Sequence, residues 1–213
     1  MRTLTPNEVV TLFDNAQGSY YYPVIYTALS TGLRQAELLG LRWRDVDLDM
    51  MCISVSQVLY KRRGVCVFKE PKTSHSRRRI SMTPKLALFL KQYRTERERL
   101  YAELLKHLTP DDLVFTNIKG KPIEPCVLSH SFIKTAQHAG LGHVRFHDLR
   151  HTFAIRTLTG WYRGGGNPEQ FLPLLSVYLG HVNVSNTYWY LSAVPELLGA
   201  VKSRLEHFLE ELS

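Results

Sequence analysis

Residues 51–82 read MCISVSQVLYKRRGVCVFKEPKTSHSRRRISM. Three stretches within it, about 51–59, 65–69 and 77–82, are rich in β-branched and aromatic residues, and Lys/Arg-rich segments separate them. That pattern predicts one small antiparallel sheet of short strands. On either side the apolar spacing turns helical. The strands do not alternate with helices, so the class expected is α+β, mainly helical with one small sheet, and not a doubly wound parallel fold.

Upstream, Thr5-Pro6-Asn7-Glu8 has the form of a capping box with proline at the first helical position, predicting a helix to about Gln17. An aromatic-rich apolar run from Ser19 to about Ser30 predicts a buried helix with Pro23 in its first turn or at a kink, and Thr31-Gly32 breaks it. Arg34 to about Leu41 predicts a short helix, and Asp45-Val46-Asp47 a turn. Downstream, Thr83-Pro84 opens a long amphipathic segment ending near His107, with Leu86, Phe89, Leu90, Tyr93, Leu100 and Leu104 on one face. Helical runs follow at about 126–139, 147–160, 168–179 and 195–212, and Gly164-Gly165-Gly166 is the clearest loop. The last run aligns Leu197, Leu198, Val201, Leu205, Phe208, Leu209 and Leu212, a stripe that suits either its own core or a neighbouring copy.

Composition narrows the class. The chain has 213 residues, 44% of them hydrophobic and 11% aromatic, which excludes a disordered polymer and is enough for a core without disulfide or metal staples. Three cysteines, Cys52, Cys66 and Cys126, cannot all pair within the chain and lack zinc-site spacing, which fits a reducing compartment. No run approaches the roughly 20 apolar residues of a membrane span, and the start MRTLTPNEVV has no signal-peptide core. A cytoplasmic location with no membrane partner is expected.

Twenty-seven Lys and Arg face nineteen Asp and Glu. Residues 61–79 hold eight basic residues and one acid, Glu70, so a net +7 of the total +8 sits in one segment. A segment of that kind suits an arm laid along a phosphate backbone, with Lys61, Arg62, Arg63, Lys69, Arg77, Arg78 and Arg79 as candidate contacts. It also suits a solvated charged hairpin. The rest of the sequence has to decide between them.

Five short signals occur in order: Thr31-Gly32-Leu33-Arg34 with Glu37, Lys72-Thr73 in the basic segment, His147-Asp148-Leu149-Arg150, Leu179-Gly180-His181, and Tyr190 nine residues after His181. Each alone has an ordinary reading: a surface arginine, a capping histidine beside a solvated arginine, a core histidine, a packing tyrosine. His147 and Arg150, three apart on a helix, share a face and can point at one oxyanion. Taken together in this order, the residues resemble the catalytic domain of the tyrosine recombinase, or phage integrase, family. Its pattern is an arginine in a TGLR-x-x-E-L context, a hairpin lysine, H-x-x-R, a histidine or tryptophan after L-G, and a tyrosine nine residues on. Arg34, Lys72, His147, Arg150, His181 and Tyr190 fill those positions, with Glu37 as the acidic neighbour of the first arginine. Two features depart from it: the stretch TGWYRGGGNPEQ before Leu179, and no core-binding or arm-binding domain before Thr5.

The resemblance implies the DNA breaking-rejoining fold and a site-specific recombinase or integrase acting on double-stranded DNA. It implies a single catalytic domain over 1–213, a fragment or minimal form beside relatives with an N-terminal DNA-binding domain. Arg34 and Arg150 would clamp the scissile phosphate, a geometry that guanidinium forks match and lysine does not. Tyr190 would attack phosphorus and carry the DNA 3′-phosphate, Lys72 would protonate the leaving 5′-oxygen, His147 would act as base or proton shuttle for the tyrosine, and His181 would hydrogen-bond the phosphate. Glu37 would orient a neighbour. Lys72 is preferred to Lys69 by the Lys-Thr pair before a run of arginines, and Tyr190 to Tyr188 by its spacing from His181. Neither metal nor other cofactor is expected, since the sequence has no H-E-x-x-H or Cys/His pattern and its acids are scattered. A homotetramer on DNA, a monomer when free, and nucleoid association are implied as well. Competing readings are a noncatalytic DNA-binding module of the same fold, which a complete catalytic set disfavours, and a type IB topoisomerase, which the TGLR and LGH contexts disfavour.

Overall fold

A computed structural model describes residues 2–71, 77–165 and 168–191. Its first helix, α1 (Pro6–Ala16), starts with the capping box read from the sequence: the Thr5 hydroxyl accepts from the Glu8 amide at 3.3 Å, and the Glu8 carboxylate accepts from the Thr5 amide at 2.8 Å. The next helix, α2 (Tyr22–Thr31), keeps Pro23 in its first turn, where the missing amide is harmless. Gly32 ends it in the left-handed region at φ 64°, and a Cβ there would lie 2.5 Å from the Phe153 ring. Only glycine permits both the turn and the close approach of the later helix α6 (Asp148–Arg163). Arg34 then caps α3 (Gln35–Gly40), with its amide donating to the Glu37 carboxylate at 2.8 Å.

The strands fall into two sheets where the sequence suggested one. A three-stranded antiparallel sheet has the order β1 (Val46–Asp47), β2 (Cys52–Ser54), β5 (Arg79–Ser81), with Ile53 opposite Ile80. A separate hairpin joins β3 (Val58–Arg62) to β4 (Val65–Lys69). The apolar run 51–59 divides at Val55-Ser56-Gln57: Val55 still donates to Arg78, whereas the Gln57 side chain donates to the Gly40 carbonyl at 2.6 Å and turns the chain onto α3. The hairpin closes through Arg63 and Gly64, both at positive φ (49° and 82°), between the paired Arg62 and Val65. That is the two-residue turn whose twist suits adjoining strands.

Thr83 caps α4 (Pro84–Glu103), which ends short of His107. Its buried stripe is Leu86, Ala87, Leu90 and Arg97; Leu100 and Leu104 stay exposed, because the helix runs past the core it packs on. Two further helices complete the described architecture around α6: α5 (Pro125–His138) before it and α7 (Pro168–Leu179) after it. A single turn, α8 (Ser185–Tyr188), precedes Tyr190. The C-terminal run at 195–212 lies outside the described residues.

The main core joins α1 to α5 and both sheets through Leu12, Ile25, Leu38, Ile53, Leu59, Ile80, Leu86, Leu128 and Phe132. Each such side chain contributes about 1.5–3 kcal/mol on leaving water. A second, smaller cluster packs Ala154, Ile155 and Leu158 of α6 against Leu172, Leu175 and Leu179 of α7, with Tyr190. Leu149 belongs to the first cluster and Ala154 to the second, so α6 bridges the two. Among the described residues, no helix is long and apolar enough to cross a membrane.

Candidate active site

At the junction of the two clusters lies a cleft of about 450 Å³ lined by Arg34, His147, Arg150, His151, His181, Ser185, Asn186, Trp189 and Tyr190. Five of the six catalytic candidates read from the sequence therefore meet across 156 positions of chain, from Arg34 to Tyr190. The sixth, Lys72, lies outside the described residues.

Both arginines are fixed by backbone carbonyls. Arg150 is buried and donates Nη1 to Gly32 at 2.8 Å and Nη2 to Leu179 at 2.7 Å. Arg34 donates Nη2 to the next carbonyl, Gly180, at 2.9 Å and Nη1 to Glu37 at 2.9 Å. The end of α7 thus holds the two guanidiniums side by side. Burial, then the like charge of Arg34, pulls the Arg150 pKa down to about 9, which still leaves it cationic at neutral pH. The same two arginines oppose the effect of burial on Tyr190, whose phenol nonetheless ends above its ordinary pKa. An oxyanion entering here would meet two positive charges and a protonated phenol.

Glu37 lies beneath the cleft, buried between Arg34 and Arg78. Burial pushes its carboxyl up, but hydrogen bonding and charge from Arg78, with Arg34 added, outweigh that and hold it below the usual range. Arg78 corrects the sequence reading. It is not a phosphate contact on the surface: its side chain is buried, its terminal nitrogens fork onto Glu37, and its Nε donates to the Tyr178 carbonyl at 2.5 Å. Of the other basic candidates, Lys61 pairs with Glu124, Arg77 with Glu70, and Arg79 reaches Cys52 Sγ at 2.8 Å and Asp47 at 4.0 Å. Arg62, Arg63 and Lys69 stand exposed.

The histidines divide. His147 stands at the N-cap position of α6, with no capping bond from its side chain, at the lip of the cleft. The residue is solvent-exposed overall, but its imidazole is partly desolvated against the cleft, which with Arg150 lowers its pKa. His181 bonds Thr187 Oγ1 through Nδ1 at 2.8 Å, and burial together with Arg150 and Arg34 brings its pKa to about 4. Its ring lies nearly parallel to that of Tyr190, with centroids 6.3 Å apart. The Tyr190 hydroxyl, however, does not meet His147. It bonds Nδ1 of His151 at 2.9 Å. His151 lies outside the H-x-x-R pattern, although His147, Arg150 and His151 at i, i+3 and i+4 share one helical face that the spacing alone makes visible. Tyr188, the rival nucleophile, is exposed, whereas Tyr190 is 2% exposed. Among the described residues, no group of three His, Cys, Asp or Glu is placed to hold a metal ion.

The family resemblance has an independent counterpart. The model of the phage integrase family matches residues 2–196. The putative integrase/recombinase y4rB of Sinorhizobium fredii is 30% identical over 197 residues, covering 90% of this chain and 57% of that protein. A tyrosine recombinase XerC-like protein of Caldanaerobacter subterraneus is 28% identical, covering 88% and 49%. Among solved structures, the Tn1549 transposon integrase in complex with transposon right-end DNA superposes with a TM-score of 0.75 at 25% identity, covering 96% of this chain and 66% of that one. The chain spans about half the length of the curated relatives it matches. XerA recombinase shares the fold at a TM-score of 0.69 and 24% identity. With nearly all of its described length matched by the family and its architecture shared with solved integrases and recombinases, this chain belongs to the phage integrase family.

Proposed function

We propose that the chain is the catalytic part of a site-specific DNA recombinase or integrase that cuts and rejoins strands through a covalent 3′-phosphotyrosine. What carries the reading is the cleft in which Arg34, His147, Arg150, His181 and Tyr190 converge, with both guanidiniums fixed by carbonyls before any substrate arrives. Charge that develops on the nonbridging oxygens of a five-coordinate phosphorus is stabilised by cations that need no reorganisation at that moment. Tyr190 attacks in line, and the bond energy is kept in the phosphotyrosine, so that a 5′-hydroxyl reverses the step without ATP. His181 hydrogen-bonds the phosphate, and His147, which the resemblance implies as base or proton shuttle but which does not meet the Tyr190 hydroxyl, does the same from the lip. Lys72 protonates the leaving 5′-oxygen, and Glu37 holds Arg34 in place. Two arginines do the electrostatic work that a metal ion does elsewhere. The exposed cations of the hairpin follow the duplex, and assembly on DNA is tetrameric.

The test begins with DNA enriched from a genomic library by binding to the chain and then sequenced. A nicked suicide duplex built on that sequence should give a covalent protein–DNA adduct with the wild type and none with Tyr190→Phe. An adduct with Tyr190→Phe overturns the nucleophile; a wild type that binds without forming adduct favours the noncatalytic module.

A further inference from the structure

The hydroxyl that the proposed mechanism must deprotonate rests on a histidine outside the family pattern read from the sequence. Tyr190 Oη and His151 Nδ1 are 2.9 Å apart, and both residues are buried. The rings of His147 and His151 meet edge to face, 4.6 Å between centroids, which leaves His147 at the lip and His151 behind it against the tyrosine. We propose that His151, and not His147, is the base that takes the Tyr190 proton in cleavage and returns it in religation. The proposal rests on Tyr190 being the nucleophile.

The step balances. The Tyr190 O–H bond breaks and its proton passes to Nδ1 of His151, while the phenolic oxygen forms its bond to phosphorus. The bond from phosphorus to the 5′-oxygen breaks, its electron pair stays on that oxygen, and the proton it needs comes from Lys72. Religation runs the same transfers backward, with His151 reprotonating the departing phenolate. Geometry comes first in choosing a base, and His151 is within hydrogen-bond reach of the proton.

The surroundings suit the role. Facing the imidazole are His147, Asp148, Arg150 and Arg145 from α6 and the residues just before it, Tyr190, and His181 from the end of α7. Burial, then His147, brings the His151 pKa to about 4, so the ring is neutral at neutral pH and keeps a lone pair for the proton. A DNA phosphate entering the cleft adds a negative charge beside the ring and raises its basicity when the proton has to move. Tyr190, with its own pKa raised, brings an intact O–H that needs such an acceptor.

The first measurement needs no DNA. In the full chain labelled with 15N-histidine, long-range 1H–15N spectra at pH 7 should show His151 as the Nε2–H tautomer with an unprotonated Nδ1, and that Nδ1 resonance should move in Tyr190→Phe. A protonated Nδ1, or no response to Tyr190→Phe, overturns the proposal. The second measurement uses the nicked suicide duplex. His151→Asn sets an amide oxygen about where Nδ1 stands, so it can hold the hydroxyl without taking its proton, and cleavage should fall about 100-fold or more while DNA binding is kept. Wild-type cleavage by His151→Asn would reduce His151 to a positioning residue and overturn the base. His151→Gln is the second variant, and thermal melts check that both remain folded. An adduct formed by Tyr190→Phe would instead remove the nucleophile, and the proposal with it, whatever the histidine spectrum shows.

Discussion

Arg78 meets the buried carboxylate of Glu37 with both terminal nitrogens, at 2.9 and 3.1 Å. The contact joins the end of the basic segment to the first turn of α3, and through Glu37 to Arg34. Arg34 is therefore supported, through Glu37, by a residue 44 positions away in sequence. Removing one partner of a buried ion pair leaves an uncompensated charge, which typically costs about 3–5 kcal/mol. Arg78→Met and Glu37→Leu should each lower the denaturant midpoint strongly. The double variant Arg78→Met/Glu37→Leu should lose much less than the two single losses added together. Additive losses in that cycle would mean that the pair is not coupled.

Stability should fall as pH drops from neutrality, in two stages. His151 and His181 have folded pKa values of about 4, whereas an unfolded histidine titrates near 6.5. Below that unfolded value the unfolded chain binds protons that the folded chain refuses, so stability declines as pH falls toward 4. Glu37 acts lower. Its folded pKa is depressed, so its contribution is complete above the unfolded carboxylate value of about 4.3 and is lost as pH falls through the folded value. Thermal melts between pH 6.5 and 5 should decline in the wild type and flatten in His151→Asn/His181→Asn. An unchanged slope in that variant would assign the decline to other groups.

Gly180 is held at φ 69°, and a Cβ there would lie 2.8 Å from Arg78 Nη1 and 3.0 Å from Cζ. That guanidinium is anchored by Glu37 and cannot swing away freely. Gly140 has nearly the same φ, 70°, with nothing within 4 Å of a Cβ. Gly140→Ala should therefore cost only the backbone strain, about 1–2 kcal/mol. Gly180→Ala should cost more, and should also slow suicide-duplex cleavage by moving the carbonyl that holds Arg34. Equal losses in chemical denaturation would show that Arg78 yields without cost.

These contacts also mark how far the sequence could be read. The capping box at Thr5, the break at Gly32 and the cap at Thr83 depend on residues within four positions of one another, and local chemistry settles them. The order of Arg34, His147, Arg150, His181 and Tyr190 was legible as a motif through its resemblance to the family pattern, and the fold brings all five to one cleft. Arg78 was not. A run of three arginines gives each the same outward character, and only the fold sets the middle one against Glu37. His151 was hidden differently: its spacing from His147 was visible, but its partner lies 39 residues on, beyond α7. The split of the sheet followed from Gln57 bonding the Gly40 carbonyl, a choice that strand propensity does not register.

The same distinction separates the hairpin cations in their effect on DNA binding. Arg62 and Arg63 are exposed at the turn, whereas Lys61 is already engaged by Glu124. A cation that neutralises a phosphate releases a counterion and adds about 0.9 to the slope of log affinity against log salt, while a cation already paired with a carboxylate adds less. Arg63 offers a substitution that spares the fold, because it sits at φ 49° in the two-residue turn before Gly64, where asparagine is a favoured residue. Arg63→Asn should keep or slightly raise the melting temperature, weaken duplex binding, and reduce the salt slope by about one. Lys61→Ala should move the slope less, since it also releases Glu124. Titrations of labelled duplex at several salt concentrations read both variants directly. If Lys61→Ala reduced the slope as much as Arg63→Asn, the Glu124 pair would have to open on DNA; if Arg63→Asn left the slope unchanged, the hairpin turn would not lie along the phosphate backbone.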